Sequence, residues 1–127
     1  MNDKRDILII DDEQVILDAV FKIAESEGFK VETALNANEA FTLMAKESPD
    51  LILLDLLMPK ISGFDFLEKI RKDEKTKNTP VIVVSALTDD ENVDKIMKMG
   101  AIDFVKKPID LQYLVDRVEG LLHHSTH

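Results

Sequence analysis

Short apolar runs alternate with longer amphipathic stretches along the chain, and this alternation constrains the fold more than any other feature. Five runs are predicted strands: Ile7–Ile10, Phe29–Thr33, Leu51–Leu54, Val81–Val84 and Ile102–Val105. Three of them are apolar almost without a break, which is typical of parallel strands buried on both faces. The stretches that follow carry apolar residues at helical spacing. The pattern therefore predicts five strand–helix units in series.

Residues that start and stop helices stand where this pattern needs them. They are Asn36 with Glu39 and Thr88 with Glu91 at capping-box spacing, Asp110 as an N-cap, and Gly28 and Gly100 as C-terminal stops. Consecutive strand–helix units favour an α/β fold with right-handed crossovers. We predict a doubly wound parallel sheet of five strands between two layers of helices.

Composition narrows the class of protein. With 127 residues the chain is long enough for one domain of ordinary size. A formal net charge of -9 argues against direct nucleic-acid binding, which needs a basic face. No run approaches the length of a membrane span, no secretion signal opens the chain, and cysteine is absent. We expect a single cytoplasmic domain that does not bind a membrane.

Polar residues follow four of the five predicted strands. They are Asp11, Asp12 and Glu13 after the first, Asp55 after the third, Ser85 after the fourth, and Lys106 and Lys107 after the fifth. Individually these are ordinary caps or solvated side chains, and Glu13 suits the dipole of a first helical turn. Because the carboxyl ends of parallel strands meet at one edge, where such sheets bind ligands, we expect them to converge.

Convergence of these groups indicates a particular chemistry. Clustered carboxylates repel one another unless a cation neutralises them, and an all-oxygen cluster suits Mg²⁺. A carboxylate can also accept a phosphoryl group, whose charge must be met by metal, ammonium and hydroxyl groups. Asp12 and Asp55 on magnesium, with Lys107 and Ser85 on the phosphate, would fill every role.

Four short motifs carry a family resemblance. They are IIDDE at 9–13, LLDLLMP at 53–59, VSA at 84–86 and VKKP at 105–108. With this order of elements, the chain resembles the receiver domains of bacterial two-component response regulators. The resemblance implies a flavodoxin-like strand order of 2-1-3-4-5. It also places a receiver domain at 1–122 and leaves 123–127 as a tail that is disordered or artificially added.

The resemblance implies roles for the acids. Asp55 would accept a phosphoryl group from a histidine kinase, a histidine phosphotransfer protein or a small phosphodonor. Asp12 and Asp55 would bind Mg²⁺ directly, together with the backbone carbonyl of Leu57, and Asp11 would bind it through water. Mn²⁺ is the alternative metal. The chain would thus be a signalling domain that assists its own phosphorylation and dephosphorylation, not an enzyme.

The resemblance also implies a switch. Ser85 would bond the phosphate, Lys107 would pair with it, and the rotamer of Phe104 would follow the Ser85 loop. The Lys107-Pro108 bond would be cis. The output would be read from the fourth helix, fifth strand and fifth helix by an unidentified downstream protein or output domain; candidate contacts are Met97, Lys106 and Tyr113.

Two features are less typical of the family. Ser62 stands where many members have aspartate, which we expect to matter little. Leu57 and Leu87 lie two residues beyond Asp55 and Ser85. They either simply pack together or, as we hypothesise, shield the acyl phosphate from water. If so, replacing both by polar residues should speed phosphate hydrolysis.

Two other functions are alternatives to that of a receiver. A phosphatase of the haloacid dehalogenase type needs an aspartate where Leu57 stands, and this absence argues against that function. A pseudo-receiver would keep the fold as an interaction module without phosphorylation, yet the acceptor, the acids and Lys107 are all present. We expect no output domain within the chain, which leaves open a stand-alone regulator or a piece of a longer protein.

Overall fold

The computed structural model describes residues 6–26, 28–57, 61–86 and 89–124, in which five strands each precede a helix. The strands are β1 (Asp6–Ile10), β2 (Lys30–Ala34), β3 (Leu51–Leu54), β4 (Val81–Ser85) and β5 (Asp103–Lys106). The helices are α1 (Gln14–Ser26), α2 (Ala37–Lys46), α3 (Gly63–Lys72), α4 (Asp90–Lys98) and α5 (Leu111–His124). The predicted series of strand–helix units is confirmed.

The strands form one parallel sheet in the order β2-β1-β3-β4-β5, as the family resemblance implied. From β1 the chain passes outward to β2 and then returns across β1 to β3, so the strand order reverses between β1 and β3. In open sheets of this kind, ligands bind beyond the carboxyl ends of the strands at such a reversal.

Two hydrophobic cores cover the two faces of the sheet. Ile7 and Ile9 of β1 belong to the core shared with α1 and α5, whereas Leu8 and Ile10 belong to the core shared with α2, α3 and α4. Because successive strand side chains point to opposite faces, a strand buried on both faces must be apolar throughout. This explains the unbroken apolar runs and confirms the three-layer α/β/α architecture.

The two edge strands differ from their predicted bounds. β2 was predicted to begin at Phe29 and β5 at Ile102, but the structure starts them at Lys30 and Asp103 and ends them one residue later than predicted. Edge strands contain polar residues between their buried ones, so an apolar run does not mark their ends. Phe29 is buried in the core next to α1 and α5, although it lies outside the strand.

The predicted N-caps of α2 and α5 are confirmed. The Asn36 side-chain oxygen accepts a hydrogen bond from the Glu39 N–H at 2.9 Å. The Asp110 carboxylate likewise accepts one from the Tyr113 N–H at 3.1 Å. These bonds satisfy N–H groups that a helix start leaves without an intrahelical partner.

The predicted ends of α1 and α4 are confirmed, but the predicted start of α4 is displaced. Gly28 and Gly100 have φ values of 89° and 102°, in the left-handed region that favours glycine. The cap of α4 is Asp89, which accepts from the Asn92 N–H at 3.4 Å. The predicted cap, Thr88, lies outside the described residues.

The C-terminal helix, α5, ends later in the sequence than the predicted end of the domain. α5 runs to His124, beyond the boundary expected at residue 122, and residues 125–127 of the expected tail lie outside the described residues. No helix in the described part of the chain is long and apolar enough to cross a membrane.

Candidate functional site at the carboxyl edge of the sheet

Strand register brings the predicted site residues to one edge. Ile10 pairs with Leu54, so Asp11 and Asp55 follow at adjacent positions, and the Asp55 N–H donates to the Ile10 carbonyl at 3.0 Å. On the other side of β3, the Lys107 N–H donates to the carbonyl of Ser85, the last residue of β4, at 3.0 Å. The backbone of the sheet therefore fixes where each chemical group leaves it.

The ammonium of Lys107 lies at the centre of the acidic groups. Its Nζ is 3.0 Å from Asp11 Oδ2, 3.2 Å from Asp55 Oδ2 and 2.6 Å from Glu13 Oε1. Only 11% of its side chain is exposed. Lys106, the other predicted cation, is exposed on β5. Of the two lysines, Lys107 is therefore the one that meets the acids.

Glu13 has a contact that sequence reasoning missed. We predicted that Glu13 would converge with the other strand-end groups and that its charge suits the dipole of α1, but not that its carboxylate would make the shortest of the three contacts to Lys107. Its backbone is also fixed, because its carbonyl accepts from the Leu17 N–H at 3.1 Å. The two residues are 94 positions apart, so only the strand order could have revealed the pair.

Burial separates the acids into two pairs. Asp11 and Asp55 are 2% and 3% exposed, whereas Asp12 and Glu13 are exposed. The buried pair is satisfied by hydrogen bonds: Asp11 Oδ1 accepts from the Glu13 N–H at 2.9 Å, and Asp55 Oδ1 accepts from the Leu57 N–H at 3.0 Å. Buried carboxylates are tolerated only with such partners.

The surroundings of Asp55 and Lys107 change their proton affinities. Burial raises the pKa of Asp55, and the nearby negative charge of Asp11 raises it further. The hydrogen bond from the Leu57 N–H and the contact with Lys107 lower this pKa, but not enough to cancel the effect of burial, so it remains raised. Burial by itself lowers the pKa of Lys107, but bonds to Glu13 and Asp11 and the nearby charge of Asp55 outweigh it, so this pKa is raised. Lys107 therefore stays an ammonium at neutral pH.

The acidic groups fit a hard divalent cation. One carboxylate oxygen from each of Asp11, Asp12, Glu13 and Asp55 lies within 4.8 Å of the others. Among the described residues, these four carboxylates cluster at the edge where Lys107 contacts three of them, so negative charge is in excess there. An all-oxygen donor set with this excess suits Mg²⁺ better than a softer metal.

The positions of the acids also bear on how such a cation would be held. Both oxygens of Asp11 already have partners, the Glu13 N–H and Lys107. Asp12 is exposed at the rim. Both oxygens of Asp55 likewise have partners, the Leu57 N–H and Lys107, so the indirect role of Asp11 and the direct role of Asp12 stay predictions.

The loop after Asp55 is held against the start of α3. The Gly63 N–H donates to the Leu56 carbonyl at 2.9 Å, and a Cβ on Gly63 would lie 2.5 Å from Leu56 Cα and 2.7 Å from the Asp55 carbonyl oxygen. Ser62 caps α3, its Oγ accepting from the Asp65 N–H at 3.2 Å. From the sequence Ser62 was only a departure from the family pattern, and its role as the cap of α3 was not foreseen.

The predicted switch residue Phe104 and the three predicted output residues differ in burial. Phe104 is half-buried and packs against the core shared with α2, α3 and α4. Met97 and Tyr113 are 40% and 46% exposed, and Lys106 is also exposed. These positions leave the three candidate contacts accessible. The Lys107-Pro108 bond is cis, as the resemblance implied.

The hypothesised apolar shield is only partly described. Leu57 is 50% exposed beside Asp55, which is a high exposure for a leucine. Leu87 lies outside the described residues, so the contact between them stays a prediction.

Sequence comparison finds relatives that match most of the chain. A family profile described as the response regulator receiver domain matches residues 7–119. The chain is 36% identical over 119 residues to the DNA-binding dual master transcriptional regulator RpaA of Synechocystis, covering 94% of this chain and 49% of that protein. It is 32% identical to the phosphate regulon transcriptional regulatory protein PhoB of Pseudomonas aeruginosa, covering 94% and 52%. The chain thus spans about half the length of these relatives.

Comparison with solved structures also finds a receiver domain. The receiver domain of the Francisella response regulator 1452 superposes with a TM-score of 0.87 at 31% identity, covering 96% of this chain and 99% of that one. The match covers nearly the whole of both chains, so the two proteins share one fold.

Proposed function

The chain belongs to the family of response regulator receiver domains, and from this premise we propose that it accepts a phosphoryl group on Asp55 in a two-component phosphorelay. The donor would be the phosphohistidine of a histidine kinase or of a histidine phosphotransfer protein, met in the cytoplasm. The observation that carries the proposal is the contact of a buried Asp55 with Lys107 at 3.2 Å, beside three further carboxylates.

The proposed transfer is a displacement at phosphorus. A carboxylate oxygen of Asp55 forms the new P–O bond while the P–N bond to the histidine breaks. The imidazole leaves with that electron pair: it is neutral if its other nitrogen already carries a proton, and otherwise it leaves as an imidazolate that takes a proton from solvent. Lys107 is cationic and within reach of Asp55, and Ser85 ends the neighbouring strand. Both would donate hydrogen bonds to the phosphoryl oxygens, where negative charge must be stabilised.

The acids at the edge would hold the divalent cation. Asp12, Asp55 and the backbone carbonyl of Leu57 would bind Mg²⁺ directly and Asp11 through water, and Mn²⁺ suits the same oxygens. When bound, the cation neutralises charge between the carboxylates and the phosphoryl oxygens. Asp12 and Asp11 thereby allow a dianionic group to approach an edge that is otherwise strongly negative.

The proposed output is a change of surface. A phosphoryl group on Asp55 would draw Ser85 and Lys107 toward it, and Phe104 would turn into the space that is vacated. The α4–β5–α5 surface would then contact a downstream protein or output domain. Two relatives are named as transcriptional regulators, which supports such an output. The net charge of -9 argues against direct contact of this chain with nucleic acid.

Phosphorylation by a small donor separates the receiver from the pseudo-receiver. The chain is incubated with acetyl phosphate and Mg²⁺ and its intact mass is measured. We expect a gain of one phosphoryl group that is absent from Asp55→Asn and does not form when the cation is chelated before acetyl phosphate is added. No gain in the unmodified chain would favour a phosphorylation-independent interaction module.

A further inference from the structure

The ammonium of Lys107 has no donor left for a phosphoryl oxygen in this structure. A lysine ammonium carries three N–H donors, and three carboxylates lie within hydrogen-bonding distance: Glu13 at 2.6 Å, Asp11 at 3.0 Å and Asp55 at 3.2 Å. Binding a phosphoryl group through Lys107, as in the proposed function on which this inference rests, therefore requires one of these contacts to be released.

The three contacts differ in what their release would cost. Asp11 is 2% exposed, so losing Lys107 would leave a buried carboxylate whose one remaining partner among the described residues is the Glu13 N–H. Asp55 is 3% exposed, and one of its own carboxylate oxygens would be bonded to the phosphorus atom. The side chain of Glu13 is 56% exposed, and its free carboxylate would be hydrated by solvent. Glu13 is the partner that Lys107 can leave at least cost.

The backbone of Glu13 is held independently of its side chain. Its N–H donates to Asp11 Oδ1 at 2.9 Å, and its carbonyl accepts from Leu17 in the first turn of α1. The carboxylate can therefore release Lys107 by rotating its own side chain, without movement of the strand or the helix.

We propose that Glu13 is a positioning residue that holds Lys107 in the unphosphorylated protein and competes with the phosphoryl group for its ammonium. Neutralising Glu13 makes Lys107 available to the phosphate and favours the phosphorylated form. The carboxylate thus acts against premature switching and takes no part in bonding to the phosphate.

Two measurements on Glu13→Gln test this. The first is the affinity of the whole chain for beryllofluoride, a stable phosphoryl mimic, by calorimetry at saturating Mg²⁺. The affinity should increase by about 2- to 5-fold, which corresponds to losing one exposed ion pair. The second is the NMR signal of the Lys107 ammonium protons without metal or mimic. The signal should shift and exchange faster with water in the variant.

Two control variants separate contact from net charge. Glu68→Gln removes the same charge from an exposed position on α3 and should leave both readouts unchanged. Glu13→Asp keeps the charge but shortens the side chain, and should shift the Lys107 signal in the same direction as Glu13→Gln. An affinity that is equal or lower in Glu13→Gln, or an unchanged Lys107 signal, would overturn the role of Glu13.

The outcomes distinguish this inference from the proposed function. If the unmodified chain binds beryllofluoride and Glu13→Gln binds it no better, only the competition is refuted. If the unmodified chain does not bind beryllofluoride at saturating Mg²⁺, both the phosphoacceptor role and the competition are refuted.

Discussion

The residue that defines this site is an aspartate at the end of an apolar strand. Asp55 is 3% exposed, its negative charge lies near that of Asp11, and Lys107 and the Leu57 N–H offset only part of the cost. The sequence segment LILLDLLMP predicted its position, because four apolar residues place it where β3 leaves the core. The resemblance already implied Lys107 as the lysine of this site, but the sequence could not reveal how deeply Asp55 is buried, because its burial depends on contacts between distant strands.

The raised pKa of Asp55 makes stability depend on pH. Burial is the main cause, so the folded protein holds this proton more tightly than the unfolded chain does. Ionised Asp55 therefore destabilises the fold once pH rises through the raised pKa. In metal-free buffer at pH 7 we expect Asp55→Asn to be more stable by about 1 kcal/mol.

Urea unfolding of both proteins at several pH values, with chelator present, measures this difference. It should shrink as pH falls through the raised pKa and vanish below about pH 3.9, where unfolded aspartate is also protonated. A variant that is less stable than the unmodified chain at pH 7 would show that Lys107 more than offsets the burial of Asp55.

Gly63 is required by the approach of α3 to the site. A Cβ there would lie 2.5 Å from Leu56 Cα, so the loop after Asp55 would have to move. We expect Gly63→Ala to lose about 1–3 kcal/mol of stability and to accept phosphate from acetyl phosphate roughly tenfold more slowly or worse. Chemical denaturation and the time course of mass gain measure the two effects.

Gly120 gives a matched control for the same substitution. It lies within α5, and a Cβ there would have no heavy atom within 4 Å. Gly120→Ala should stabilise the protein by about 0.5–1 kcal/mol, because alanine favours a helix over glycine. Equal effects of the two substitutions would contradict the steric account of Gly63.

At the scale of elements, a single side chain ties α3 to the turns around it. The Arg71 guanidinium donates to the carbonyls of Thr79 at 2.8 Å and Gly100 at 3.0 Å, and more weakly to those of Thr76 and Lys77. These acceptors lie between α3 and β4 and between α4 and β5. Periodicity predicted each helix, but an arginine that joins two turns leaves no periodic pattern and was not foreseen.

Arg71→Ala should destabilise the fold by about 2–4 kcal/mol, because several carbonyls would lose a charged donor. Arg71→Lys should lose less stability, because lysine keeps the positive charge. It should still lose some, because a lysine ammonium cannot reproduce the planar arrangement of N–H donors in the guanidinium. Lys72→Ala, at an exposed neighbouring position, should remain within about 0.5 kcal/mol of the unmodified chain. Denaturant midpoints of the three variants measure this order. Equal losses in Arg71→Ala and Lys72→Ala would contradict the role of Arg71.

At the scale of the whole molecule, the sequence allowed the architecture to be predicted more fully than the bonding at the site. Buried strands and amphipathic helices follow from local patterns, so the three layers were predicted without any contact being known. The strand order came only from the family resemblance. The contact of Glu13 with Lys107 was missed because it joins opposite ends of the chain, and edge strands were misplaced where polar residues interrupt them.

We expect Phe104 to couple phosphorylation of Asp55 to the α4–β5–α5 surface. If its ring transmits the change at Asp55, then Phe104→Ala should still be phosphorylated, but its α4 and β5 amides should respond less. Amide hydrogen exchange with and without beryllofluoride at saturating Mg²⁺ measures this response. The same change in α4 protection in the variant and the unmodified chain would argue against this route.

The central claim, that Asp55 is the acceptor, is tested most directly by identifying the modified residue. An acyl phosphate formed from acetyl phosphate and Mg²⁺ is reduced with borohydride, which converts a phosphorylated aspartate to homoserine, and the residue is located by tandem mass spectrometry. We predict homoserine at position 55 and unchanged aspartate at positions 11 and 12. Homoserine at position 11 or 12, or at none of the three, would contradict the claim.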